Sequence, residues 1–178
     1  ATVTCGGKPY KIVSLIREKY NYRILNDHEA MIERYKDTVD DVVIPSTVTY
    51  RNKVYTIVAI GDNAFDGRDI KSVVIPDGVK EIGSYAFYGC SGLADLTISE
   101  GVAIVGSYAF YDCSNLTSIT IPDSVARIES SAFYGCSGLT SITLPESLTT
   151  IPYGLFEYCE SLTSITIPDS VTSIGAKA

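Results

Sequence analysis

A period of 23 residues runs through most of this 178-residue chain, and it constrains the fold more than any other feature. Cys90, Cys113, Cys136 and Cys159 fall 23 apart, as do Phe87, Phe110, Phe133 and Phe156, and Ile75, Ile98, Ile121, Leu144 and Ile167 keep the same interval. Three registers held together require that equivalent residues sit in equivalent surroundings, one lap of chain above the next. Full units run 70–92, 93–115, 116–138 and 139–161, with a cut-off fifth at 162–178. One lap buries too few apolar side chains to offset the entropy of ordering it. Stacked laps share faces and pair their edges, so the period predicts a parallel solenoid.

Each unit parses into short elements. Leu116, Ile119 and Ile121 alternate with Ser118 and Thr120 in a β-branched run that Pro122 stops, which reads as a short strand with one buried face. Pro122-Asp-Ser124 is turn chemistry, and Val125 with Ile128 forms a second extended piece. Ser131-Ala-Phe-Tyr-Gly-Cys136 then reads as one helical or 3₁₀ turn pointing Ala132, Phe133 and Cys136 inward. The position of Gly83, Gly106 and Gly175 is Glu129 in one unit and Pro152 in another, so those glycines read as serving space, not positive φ. Gly92, Asn115, Gly138 and Ser161 are the expected left-handed residues. Ser99 stands where other units have proline, so proline ends the strand without being indispensable.

Charge divides the chain. Residues 1–69 hold ten basic and ten acidic side chains, whereas residues 70–178 hold Lys71, Lys80, Arg127 and Lys177 against eleven acids, so the net charge of −7 lies in the repeats. That balance argues against a nucleic-acid or anionic-membrane binder. The longest apolar runs are about four residues (Ile57 to Ile60), far short of the ~20 of a transmembrane helix. The chain begins with Ala1 and shows no leader, which reads as a processed or excised piece.

The pattern Leu-x-x-Ile-x-Ile-Pro-x-x-Val-x-x-Ile-x-x-x-Ala-Phe-x-x-Cys resembles the leucine-rich repeat of the BspA-like surface proteins, the Treponema pallidum type. The segment from Asp41 through Ile44-Pro45 to Ala64-Phe65 resembles the insertion-bearing first coil of such arrays. The resemblance is strong over 41–178 and weak over 20–40; residues 1–19 match nothing. It implies a leucine-rich repeat solenoid from a secreted or surface-attached bacterial protein, with an adhesion or binding role and no catalysis. Architecture transfers with such a likeness more safely than a partner does.

The expected organisation is a β-hairpin cap over 1–41 and a solenoid over 42–178. Tyr20–Leu25 and Glu29–Tyr35 read as two extended runs around Asn26-Asp27, with a helix over 28–36 as the rival. Ile44-Pro45 precedes Ile75-Pro76 by 31 residues, and the eight extra residues fit a second hairpin through Tyr50-Arg-Asn-Lys-Val-Tyr55.

Candidate binding residues fall into rows. On the strand face stand Asp95, Thr97, Ser118, Thr120, Ser141, Thr143, Ser164 and Thr166, small groups that make a flat, adaptable surface. Tyr85, Tyr108 and Tyr153 form one tyrosine row and Tyr88, Tyr111 and Tyr134 another; aromatic rows enrich contact surfaces, though packing over the turns explains them too. Asp77, Glu100, Asp123, Glu146 and Asp169 recur once per lap, as turn chemistry or as an acidic edge for divalent cations or a basic partner. The four registered cysteines lack the close C-x-x-C spacing of metal sites and read as reduced, buried hydrophobes. Cys5, outside the register, is the candidate exposed thiol. His28 reads as a surface turn residue, and no catalytic motif, metal site or cofactor site is expected. Asn115-Leu-Thr117 is a glycosylation sequon of consequence only in a eukaryotic secretory pathway. The expected function is a non-enzymatic scaffold meeting a protein or glycan partner. The alternative is end-to-end self-assembly, since the chain stops at Ala178, before the Ala-Phe-x-x-Cys turn of its fifth unit.

Overall fold

The computed structural model describes the backbone of residues 2–5, 8–11, 14–16 and 19–178, with side chains from Lys19 onward. Thr2–Cys5 pairs antiparallel with Lys8–Lys11, and Ser14–Ile16 pairs antiparallel with Tyr20–Ile24. The side chain of Cys5 lies outside the described residues.

Tyr20–Ile24 and Glu29–Tyr35 form an antiparallel hairpin with a bulge at Asn21/Tyr22. Ala30 and Ile32 are buried while Glu29, Met31 and Glu33 are partly exposed, a two-residue period that only a strand satisfies. The Asn26 side chain accepts the N–H groups of His28 and Glu29 at 2.8 and 3.0 Å and so closes the turn locally. Glu29–Tyr35 then pairs parallel with Lys53–Ile60, so the hairpin prolongs one wall of the solenoid. The second hairpin joins Thr47–Tyr50 to Lys53–Ile60. Its turn residues Arg51 and Asn52 both have positive φ, as a two-residue loop of this hand requires.

Each lap has three sides. The first is the longer strand: Asp41–Val43, Ser72–Ile75 and Asp95–Ile98 form one parallel sheet, and Ser118–Thr120 with Ser141–Thr143 another. The second is a two-residue strand, stacked parallel as Ala59-Ile60, Glu81–Ile82, Ile104–Val105 and Arg127–Ile128. The third is a chain of tight turns. Apolar residues from all three sides fill one interior, with Phe65, Phe87, Phe110 and Phe133 wholly buried. These rings stack at 4.7, 5.3 and 5.3 Å, Phe156 continues the pile at 6.0 Å, and Tyr35 of the hairpin begins it, stacked on Phe65 at 5.0 Å.

The turn side corrects two expectations. It contains no helix among the described residues. Its bonds alternate: Ala86, Tyr88 and Cys90 donate to the carbonyls three residues back, while Tyr85, Phe87 and Gly89 donate to Ser107, Ala109 and Tyr111 of the next lap at 2.7 to 2.9 Å. A helix aims every N–H along its own axis, so it could not bridge laps this way. Half of the N–H groups face the neighbouring lap because a left-handed residue recurs within successive reverse turns. Those residues are not Gly92, Asn115, Gly138 and Ser161. One column is Asn63, Tyr85, Tyr108, Ser131, Gly154 and Lys177; the other is Gly67, Gly89, Asp112, Gly135 and Tyr158.

Gly106 does serve space. A Cβ there would lie 2.6 Å from the Ser84 backbone nitrogen, although φ is unremarkable. At Gly89, by contrast, φ is +65° and a Cβ would meet nothing nearer than 4.0 Å. We therefore expect Gly106→Ala to cost about 2–3 kcal/mol through steric overlap and Gly89→Ala only about 1 kcal/mol of backbone strain. Urea denaturation compares them, and the reverse order would refute the close approach of laps at Gly106.

Pro152 has a visible cost to the second side. Gly83, Gly106 and Glu129 donate their N–H groups to Ile60, Ile82 and Val105, and Gly175 donates to Ile151. Proline has no N–H, so the ladder breaks between Arg127–Ile128 and the pair Thr150–Ile151 with Ser173–Ile174. The first side breaks between Asp95–Ile98 and Ser118–Thr120, and residues 162–168 form no strand. The turn side carries bonds across every lap, from Tyr35 N–H to Ala64 O through Gly154 N–H to Ala176 O.

Candidate functional site

The turn side carries the most distinctive surface of the molecule. Ala86, Phe87 and Cys90 point inward, while Tyr85 before them and Tyr88 among them project outward, the left-handed Tyr85 reversing the chain just before Ala86 and Phe87. Repetition turns each outward position into a column. Tyr88 stacks on Tyr111 at 4.7 Å with 13° between planes, and Tyr111 on Tyr134 at 4.8 Å and 6°. Tyr85 stacks on Tyr108 at 5.0 Å and 9°. The columns touch at 5.7 Å between Tyr85 and Tyr88 and 5.9 Å between Tyr108 and Tyr111, tilted by 54° and 51°.

Tyr153 does not belong to the first column. Its register is that of Ser84, Ser107 and Ser130, one residue away, and Lys177 lies over its ring at 6.0 Å. Gly154, two periods after Tyr108, holds the equivalent position and shares its left-handed backbone at φ +62°. Sequence reasoning missed Tyr158, which stands in the register of Asp112 and Gly135, is left-handed at φ +63°, and meets the Tyr134 ring edge-on at 5.1 Å. The Phe-x-Gly spacing of Phe65-Gly67, Phe87-Gly89 and Phe133-Gly135 was the available signal for that left-handed column.

Carboxylates border the rings. The column after each Phe reads Asp66, Tyr88, Tyr111, Tyr134, Glu157, and Asp112 stands one residue on. Glu157 accepts Lys177 at 2.9 Å. Burial, then the Asp112 carboxylate, pushes the Tyr111 phenol above its ordinary range, and burial followed by Tyr158 does the same for Tyr134. Desolvation raises the Asp112 carboxyl. The phenols are therefore neutral hydrogen-bond donors at physiological pH.

The strand face exposes Asp95, Thr97, Ser118, Thr120, Ser141 and Thr143. Ser164 and Thr166 are exposed as well but stand in no strand. Sequence reasoning missed the apolar head of this face: Val43 and Val74 share the register of Thr97 and are 72% and 40% exposed. Between the two sheets lies a shallow polar groove of about 420 Å³, lined by Asp95, Thr97, Glu100, Ser118 and Thr120 among others.

The remaining candidates resolve into structure. Each registered thiol donates to a phenylalanine carbonyl of the lap below: Cys90 to Phe65, Cys113 to Phe87, Cys136 to Phe110 and Cys159 to Phe133, at 3.1 to 3.3 Å. All four are free and buried. In the acidic row, Asp123 accepts the N–H of Glu146, its equivalent on the next lap, at 3.0 Å, so this carboxylate ties two laps together. Among the described residues no three His, Cys, Asp or Glu side chains group as metal ligands, and no helix is long and apolar enough to cross a membrane. His28 is an exposed turn residue.

Short parallel strands, tight turns and one apolar interior, repeated every 23 residues, define a leucine-rich repeat solenoid. The chain belongs to the BspA-type leucine-rich repeat family, whose model matches residues 58–178 in six copies. A leucine rich cell surface protein from Faecalibacterium prausnitzii A2-165 is 41% identical over 93% of this chain and 45% of that one, with a TM-score of 0.84. A leucine-rich repeat protein from Bacteroides ovatus is 27% identical over 90% of this chain and 55% of that one, at 0.66. The T. pallidum leucine-rich repeat protein is 26% identical over 92% and 86%, at 0.72. This chain thus spans about half the length of the first two relatives. No curated protein matches it.

Proposed function

We propose that the protein is a non-enzymatic binding scaffold, part of a secreted or cell-surface bacterial protein, that meets its partner through the tyrosine columns of the turn side. One observation carries this reading: six outward tyrosines in mutual contact, on the side whose hydrogen bonds cross every lap. A rigid support holds each ring in place before binding, which lowers the ordering cost of an interface, and tyrosine supplies contact area with few rotatable bonds. The cell-surface relative at 41% identity supports the location. The strand face, with Thr97, Thr120 and Thr143, is the second candidate surface.

Arrays of glycans and extracellular proteins, probed with two variants, test the assignment. Tyr88→Ser/Tyr134→Ser is expected to lower array binding at least about ten-fold, the loss of two aromatic anchors. Thr97→Glu/Thr120→Glu/Thr143→Glu is expected to leave it unchanged, and the opposite pattern would move the site to the strand face. End-to-end self-association is the alternative, and a monomer in light scattering at high concentration removes it.

A further inference from the structure

The geometry of the tyrosine columns selects among partners. Rings stacked 4.7 and 4.8 Å apart and nearly parallel close their faces to one another. A sugar ring or a guanidinium stacks on an aromatic face, and inside these columns no face is free. Edges and phenol hydroxyls are what remain, and they form a donor row with a fixed step. A partner that follows the row must repeat in step with it.

Two steps of the Tyr88, Tyr111, Tyr134 column span about 9.5 Å, and polyproline II repeats after three residues at about 9.3 Å. A β-strand repeats its side chains at about 6.7 Å and an α-helix turns every 5.4 Å or so, so neither keeps register over three rings. A polyproline II segment also makes no internal hydrogen bonds, which leaves its carbonyls free for phenol donors. Charge completes the choice. Asp66 and Glu157 hold the two ends of the column and Asp112 its flank; Lys177 is paired with Glu157, and Arg68 stands two residues beyond Asp66. The same acidity, −7 over the repeats, sets a second copy of this chain against itself.

We infer that the tyrosine strip docks a proline-rich segment of a partner protein in the polyproline II conformation, one that also carries arginine or lysine to meet Asp66 and Asp112. The inference rests on the turn side being the contact surface.

Fluorescein-labelled peptides of about twelve residues, four polyproline II turns, test it by anisotropy: one proline-rich with two arginines, one with the same arginines among glycine and serine, one proline-rich with glutamates. The first is expected to bind the intact chain at least about ten-fold more tightly than either other, since it alone is both pre-ordered and complementary in charge. Tyr111→Phe, which keeps the stack, is expected to weaken it several-fold at unchanged thermal stability, the loss of one hydrogen bond to the peptide. Equal binding of the glycine-serine peptide would reduce the contact to charge and overturn the inference, as would indifference to both Tyr111→Phe and Tyr88→Ser/Tyr134→Ser. If array binding is lost in the double variant yet the proline-rich peptide neither binds nor competes, or the lost ligand is a glycan, the turn side stands as the surface and the partner class fails. Array binding unchanged in the double variant and lost in the threonine variant rejects the surface itself.

Discussion

Phe110→Ala is expected to destabilise the protein by about 3–5 kcal/mol, the range for removing a fully buried aromatic ring from a close-packed core. The ring is wholly buried and lies between Phe87 and Phe133, 5.3 Å from each and within 6° of parallel, so its removal opens a gap that both neighbours border. The laps above and below are held apart by their own backbone ladders, with Phe110 N–H on Ala132 O at 2.8 Å, and cannot collapse into the gap. For a chain of this size the loss is about 2–4 °C in Tm per kcal/mol. Phe156 is the internal control: it is only partly buried and its ring lies 6.0 Å from Phe133, so Phe156→Ala is expected to cost markedly less. Calorimetry that found equal losses at the two positions would mean that the phenylalanine column is not what couples one lap to the next.

The second large effect is chemical. Burial pushes the Cys90 thiol up to about 12 from the ordinary value near 9, and Cys113 and Cys136 are also raised well above it, Cys136 chiefly through its hydrogen bond with Cys159 and then by burial. Only the thiolate reacts with alkylating agents. At pH 8 the Cys90 value leaves about a thousandth of the thiolate of a free cysteine, before access is counted. Native protein is therefore expected to protect Cys90 from iodoacetamide by about three orders of magnitude relative to urea-unfolded chain, and Cys113 and Cys136 in the same direction, read by peptide mass mapping. Cys159 is expected to react first of the four, because the Cys136 hydrogen bond holds it below its usual value and it is the most exposed of them. The same shifts make the protein sensitive to alkali. A thiol whose folded value is raised contributes fully below the unfolded value near 9, and that contribution disappears as pH climbs from there toward 12. The buried Tyr20 phenol, raised by desolvation and then by Tyr35, acts in the same direction. Urea midpoints are expected to be flat from pH 6 to about 8.5 and to fall above pH 9; fast labelling of Cys113 at pH 8 would show instead that the laps open.

The architecture was open to reading because a solenoid is a linear object. A residue and its equivalent 23 positions on share one environment, so Phe87, Phe110 and Phe133 had to form one column and Cys90, Cys113 and Cys136 another. The turn pair Asn26-Asp27 between Tyr20–Leu25 and Glu29–Tyr35 likewise pointed to the hairpin, with a helix over 28–36 as the rival that the burial alternation of the strand rejects. Tyr35 was harder: it begins the ring pile from outside the period, in a strand whose place beside Lys53–Ile60 is a matter of packing.

The candidate surface was only half legible. Tyr88, Tyr111 and Tyr134 are a row in any reading of the period, but Tyr153 stands one residue out of register with Tyr85 and Tyr108, and Tyr158 joins the cluster only through its contact with Tyr134. The spacing itself excludes Tyr153, which falls 45 residues after Tyr108 and not 46, whereas the outward aim of the Tyr85 and Tyr158 rings depends on φ. A Tyr held at +58° between Gly83 and Ala86 looks in the sequence like a step of a helical turn, and nothing local marks it as left-handed.

From its spacing alone this chain was bound to be a stack of laps with an apolar interior, since periodic hydrophobic positions can be buried together in no cheaper way. Tertiary structure alone decided which N–H groups turn toward the next lap, where Pro152 interrupts a wall, and that the outward rings close their faces on each other. Those outcomes depend on the distance between neighbouring backbones, a quantity that no single lap contains.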